Sequence, residues 1–141
     1  MKNVYFVELS SIDGQAACLD SLFAALSDAL GKDKLEELKE AVYMREDTAS
    51  TFVGGAMAAP HGRVANLGDP LLVFGISKNG IDWPTDEEKA KLVALIAVDK
   101  TQVAAYLSIF QKIAKWHKKN SALLGDADFS AIKNSIEGDM R

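Results

Sequence analysis

Of 141 residues, one is cysteine, three are proline and two are histidine. The lone Cys18 can form no internal disulfide and can build no zinc site. Set in an alanine-rich helical pattern, it reads as a small buried hydrophobe. Basic charge is also short: Lys+Arg 16 against Asp+Glu 20 leaves a net charge of −4. That balance argues against the basic face a nucleic-acid backbone requires, so no nucleic-acid partner is expected. No aliphatic run approaches the roughly 20 residues of a membrane span, so no membrane insertion is expected. The opening MKNVYFVE does not have the organisation of a signal peptide, and a cytoplasmic location is expected. Several motifs are missing too: there is no P-loop, no Gly-x-Gly-x-x-Gly dinucleotide fingerprint and no Gly-x-Ser-x-Gly hydrolase elbow. His61 and His117 are far apart, with no partner at metal-ligand spacing, so neither metal nor cofactor is expected.

What is present is an ordinary globular composition, 48% hydrophobic and 26% charged. A chain of this length reads as one domain over 1–141, with enough surface to bury a core unaided. Val4 to Leu9 is β-branched and aromatic, a first strand, with Ile12-Asp13-Gly14 as turn material. Ala16 to Leu30 carries Leu19, Leu22, Phe23, Leu26 and Leu30 at helical spacing and stops at Gly31. Asp33 opens a second helix with Glu36 in the capping-box position, running to about Arg45. Leu71 to Ser77 is a short apolar strand, and Asn79-Gly80 a strong turn signal. Trp83 to Lys89 reads as a solvated loop in which Trp83 is an anchor. Lys91 to Val98 is almost continuously apolar, the pattern of a strand covered on both faces. A helix follows Asp99-Lys100-Thr101, with Val103, Leu107, Phe110, Ile113 and Ala114 as its apolar side. Asp126-Ala127-Asp128 caps a last helix from Phe129 to Ile136. Alternating strands and helices predict an α/β fold, a mixed, mostly parallel β-sheet flanked by helices on both faces. Strands that follow one another without a hairpin turn are expected to be joined by crossovers and hence parallel. Val4 to Leu9 is expected at an edge, in either direction.

The informative residue is His61. Pro60 fixes its own φ and removes a backbone donor, and Ala59 before it is pushed toward the extended region. Ala56 to Ala59 therefore reads as a strand delivering His61 to a loop on a rigid frame. Gly62 beside it allows a bulky group to come close. Arg45-Glu46 fits a helix C-terminus, where a cation is favoured, and Ser50-Thr51 fits a capped turn. Each has a structural reading of its own.

Taken in order, Arg45-Glu46, Ser50-Thr51, Gly54-Gly55 and Pro60-His61-Gly62 form the stretch MREDTASTFVGGAMAAPHGR. It resembles the EIIA domains of the bacterial phosphoenolpyruvate-dependent phosphotransferase system, in the fructose/mannitol/nitrogen-regulatory family. LLVFGISKNGIDWPTDEEKAKLVALIAVDKT matches a later part of that pattern. The resemblance implies that His61 accepts a phosphoryl group, Arg45 stabilises it, and Ser50 and Thr51 donate further hydrogen bonds. Glu46 would orient Arg45 or bond locally. It implies an HPr-type phosphocarrier as donor and an EIIB-type domain or a regulated protein as the other partner, in sugar transport or nitrogen regulation. Neutral imidazole is a competent nucleophile near pH 7, and a guanidinium offers forked donors to phosphoryl oxygens. The chain departs from the family where a second histidine usually opens a helix: here the pair is Tyr106-Leu107. A phenol donates a hydrogen bond but is no cation near neutral pH. The glycine pattern is shifted as well, to Gly54-Gly55-Ala56. An EIIA-like regulatory module that signals by docking is the alternative. His117 falls roughly 15 Å farther along the helix than Tyr106 and reads as structural.

Overall fold

The structure, a computed structural model, describes residues 3–12, 14–84 and 87–140. Asp13, Thr85 and Asp86, assigned above to turn and loop, lie outside the described residues.

The long apolar runs build the centre of one six-stranded sheet, ordered β1-β5-β6-β3-β2 with β4 also pairing β6. These strands are β1 (Val4–Glu8), β2 (Phe52–Gly54), β3 (Met57–Ala58), β4 (His61–Val64), β5 (Leu71–Ile81) and β6 (Ala90–Asp99). The pairings β1·β5, β3·β6 and β4·β6 are parallel, whereas β2·β3 and β5·β6 are antiparallel. The sheet is thus mixed and mostly parallel, with β1 at an edge. The expected crossover between Leu71–Ser77 and the later apolar run is absent: β5 and β6 form a long antiparallel hairpin. Its cause is that β5 does not end at Asn79-Gly80. Gly80, at φ 89°, sits in an irregularity of the ladder, where its N–H donates to Ser77 Oγ at 2.9 Å. A turn-forming dipeptide here makes a bulge within a strand.

Five helices, α1 (Gln15–Ala25), α2 (Ser27–Leu30), α3 (Lys32–Thr48), α4 (Val103–Asn120) and α5 (Phe129–Asp139), cover both faces. Side chains alternate along β6, as a strand requires: Val93, Leu95 and Ala97 join Leu22, Leu38 and Val42, while Leu92, Ile96 and Val98 join Ile113, Trp116 and Ile132. Cys18 and Trp83 are buried in the first of these cores, so Trp83 anchors its loop to the interior as expected.

Three helix expectations need correction. The first helix breaks at Leu26 into α1 and α2. The capping box at Asp33 does not form, because Gly31, at φ 76°, is the N-cap of α3 and Asp33 lies in its first turn. In α4 the buried stripe is Ile109, Ile113 and Trp116, which leaves Val103 and Leu107 49% and 54% exposed. The helix is rotated by about one residue from the expected stripe, and Trp116 gains Ser135 Oγ as its Nε1–H acceptor at 2.9 Å. Asp128 does cap α5, accepting from Ala131 N.

Candidate functional site

His61 is the first residue of a strand, not part of a loop. Its ladder offset from β6 matches that of β3: Ala58 faces Val93 and His61 faces Ile96. The two segments are one line of chain interrupted at Ala59 and Pro60, and Pro60, which lacks an N–H, still accepts from Ile96 N at 3.0 Å. The residue after the histidine explains how α3 reaches it. A Cβ on Gly62 would meet Ala41 Cβ at 3.0 Å and Leu38 Cδ1 at 3.1 Å. The bulky group that Gly62 admits is therefore α3 itself, whose last turn carries Arg45.

The ring is held by its own strand. Ala59 turns its N–H outward to Thr51 O at 3.0 Å, and its carbonyl lies 3.1 Å from His61 Nδ1. A carbonyl can only accept, so Nδ1 carries the proton and Nε2 keeps its lone pair. The imidazole pKa lies below its ordinary 6.5, chiefly because burial disfavours the cation; Arg45 and Arg63 push the same way, against the Ala59 bond and Glu46. At neutral pH this is an uncharged ring with one free nitrogen, a nucleophile in form.

His61 and Arg45 line two depressions. One, of about 490 Å³, is completed by Ala41, Met44, Gly62, Arg63 and Lys100. The other, about 140 Å³, includes Ser50, Thr51, Val53, Tyr106 and Phe110. The expected set of His61, Arg45, Ser50, Thr51 and Tyr106 therefore meets in one place. Within it, Arg45 donates from Nη1 to Ala49 O at 2.6 Å. Thr51 is buried and its hydroxyl donates to Glu46, whose carboxylate also accepts from Gln15 Nε2 at 3.2 Å. Glu46 thus bonds locally, tying α3 to the start of β2 and to α1. Ser50 Oγ accepts from Phe52 N at 3.1 Å. Tyr106 lies against the histidine, ring centroids 4.6 Å apart, and burial raises its phenol pKa so that the hydroxyl stays protonated.

His117 lines neither depression. Its Nε2 sits 2.7 Å from Gly55 O, fastening α4 to the turn between β2 and β3. Two participants had no assigned role in the sequence reading: the Ala59 carbonyl, which any residue type could supply, and Arg63. Reading His61 on a loop hid Arg63, because residues two apart share a face only where the chain is a strand.

This chain and its fold have relatives. Residues 5–135 match the family described as phosphoenolpyruvate-dependent sugar phosphotransferase system, EIIA 2. The chain belongs to that family. It is 30% identical over 97 residues to the PTS system fructose-specific EIIABC component of Bacillus subtilis (strain 168), a match spanning 68% of this chain and 15% of that much longer protein. Over 114 residues it is 27% identical to the PTS system fructose-specific EIIA component of Haloferax volcanii, covering 77% and 74% of the two chains. Its fold is similar to that of the nitrogen regulatory protein IIA-Ntr from Neisseria meningitidis, with TM-score 0.76, 16% identity and coverage of 98% and 91%. Among the described residues no helix is long and apolar enough to cross a membrane, and no cluster of potential metal ligands occurs.

Proposed function

We propose that this chain is a histidine phosphocarrier, in which His61 Nε2 takes a phosphoryl group from the phosphohistidine of an HPr-type protein and passes it to an EIIB-type domain. A new N–P bond forms at Nε2 as the donor's N–P bond breaks, and the reverse occurs on hand-over. Nδ1 keeps its proton throughout, so the Ala59 carbonyl can hold the ring in both states. Phosphoryl transfer depends mainly on positioning and on charge placed around the moving oxygens. Arg45 supplies forked cationic donors and Tyr106 a neutral one; Ser50 can add another. Thr51 acts through Glu46, holding the end of α3 that carries Arg45.

The single observation that supports this reading is the Nδ1–H bond to Ala59, which leaves a bare Nε2 beside Arg45. Its test is incubation with phosphoenolpyruvate, Enzyme I and HPr, followed by intact mass. We expect one added phosphoryl mass on the wild type and none on His61→Ala. A phosphorylated His61→Ala protein overturns the assignment.

A second reading, a regulatory docking module, draws on a different observation. Tyr106 is neutral where the family usually has a histidine, Val53 lines its depression, and Val53, Val103 and Leu107 are exposed apolar side chains. No uptake from several carriers, together with capture of a partner protein, favours that reading.

A further inference from the structure

We infer that Arg63 is an anion ligand beside His61 and, resting on the phosphocarrier reading, the second cation for the phosphoryl group on that histidine. Pro60 O accepts from Ile96 N and Val64 O accepts from Lys100 N, at 3.0 and 3.1 Å. In a parallel ladder bonding alternates by residue, so the backbone groups of His61, Arg63 and Ala65 point away from β6. The outward amide of Ala65 donates to Glu37 Oε2 at 2.9 Å, so a carboxylate already sits on this edge. One step along, Arg63 lines the 490 Å³ depression shared with His61 and Arg45.

The side chain agrees. Gly62 faces α3, so its neighbours His61 and Arg63 share the opposite face, roughly 6.6 Å apart along the strand. A guanidinium on that spacing reaches a group mounted on the imidazole. Lys100, also in the depression, is paired with Glu37 at 3.4 Å, whereas no carboxylate pairs with Arg63 among the described residues. Arg63 already acts on the ring electrostatically, helping to hold its pKa down. With Tyr106 neutral, an incoming dianion meets Arg45 and needs a further positive group. Arg63 is the exposed cation that fits.

The test uses wild type, Arg63→Gln, Arg63→Lys and Lys39→Gln, the last removing one positive charge on α3 that lines neither depression. Two readouts are taken: phosphoryl uptake from the HPr-type carrier, and inorganic phosphate binding followed by the ¹⁵N shifts of the His61 ring. Loss of a charge-assisted hydrogen bond predicts at least about tenfold slower uptake and about tenfold weaker phosphate binding for Arg63→Gln. Arg63→Lys should recover part of both, and Lys39→Gln should match the wild type. Uptake and phosphate binding by Arg63→Gln equal to wild type overturn the inference while leaving the carrier reading intact. Arg63-dependent phosphate binding in a wild type that accepts no phosphoryl group overturns the carrier reading and keeps the anion site. A wild type that does neither overturns both.

Discussion

The rings of His61 and Tyr106 stand 4.6 Å apart, tilted by 36°, and Phe110 extends the stack with its centroid 5.9 Å from that of Tyr106. The phenol thus does two things: its ring walls off one side of the imidazole, and its hydroxyl is a permanent neutral donor. Tyr106→Phe keeps the wall and removes the donor. We expect several-fold to about tenfold slower phosphoryl transfer, the worth of one hydrogen bond to a charged group, with stability within about 1 kcal/mol of wild type. Stopped-flow transfer rates and a denaturation curve on the same sample separate the two effects; unchanged transfer would remove the hydroxyl from the mechanism.

The pH dependence has a definite sign. The His61 pKa lies below 6.5, with burial as the largest cause. Well above pH 6.5 the ring is neutral both folded and unfolded, and titration costs the fold nothing. As the pH drops below that value the unfolded chain binds the proton first, so the folded state loses stability until its own ring titrates. Uptake should follow the neutral fraction, flat at pH 7 and falling through a midpoint below 6.5. A rate profile in the wild type with its midpoint above 6.5 would contradict this placement of the ring.

Thr51 and Glu46 form the brace behind Arg45. Thr51→Val removes a buried hydroxyl of nearly the same shape and leaves the carboxylate short of a donor. The expected cost is about 1–3 kcal/mol in a urea titration. Because the end of α3 is then less firmly held, transfer should slow as well, with His61 still the site of modification. A variant as stable as wild type would mean that Gln15 and the Thr51 backbone amide together satisfy Glu46.

Gly55 and His117 make a second brace. Gly55 has φ 58°, and a Cβ there would lie 2.5 Å from His117 Cε1. Gly55→Ala should destabilise by at least about 1 kcal/mol through backbone strain alone, with the collision added. His117→Ala removes the collision, so the double variant should be more stable than the sum of the single effects predicts. Strict additivity in the thermal unfolding of the four proteins would deny the contact.

The legible parts of this fold were those where composition and burial coincide. Lys91 to Val98 is apolar at nearly every position because β6 is covered on both faces, and no other role suits it. The grouping of the candidate residues could be read from their order, since Arg45, Ser50, Thr51 and His61 occur within one short segment. Less legible was anything requiring a choice between neighbouring solutions. Val103 and Leu107 lie on a helical stripe as acceptable as the one through Ile109 and Trp116, and only packing against the sheet selects between them. Asn79-Gly80 marks a backbone change, but not whether the chain reverses or bulges. Glu46 could have served Arg45 or the backbone; its distance to Thr51 and Gln15 is a tertiary fact. The partner of His61 Nδ1 is a main-chain carbonyl, which leaves no residue-type signal at all.

On the proposed function, Ala59 holds the proton on His61 Nδ1 and so directs the phosphoryl group to the other nitrogen. The direct measurement is ¹⁵N-³¹P NMR on the histidine-labelled protein after phosphorylation, which distinguishes the two ring isomers. We expect a single phosphohistidine, at His61, bonded through Nε2. Phosphorus on Nδ1, or on His117, would contradict it.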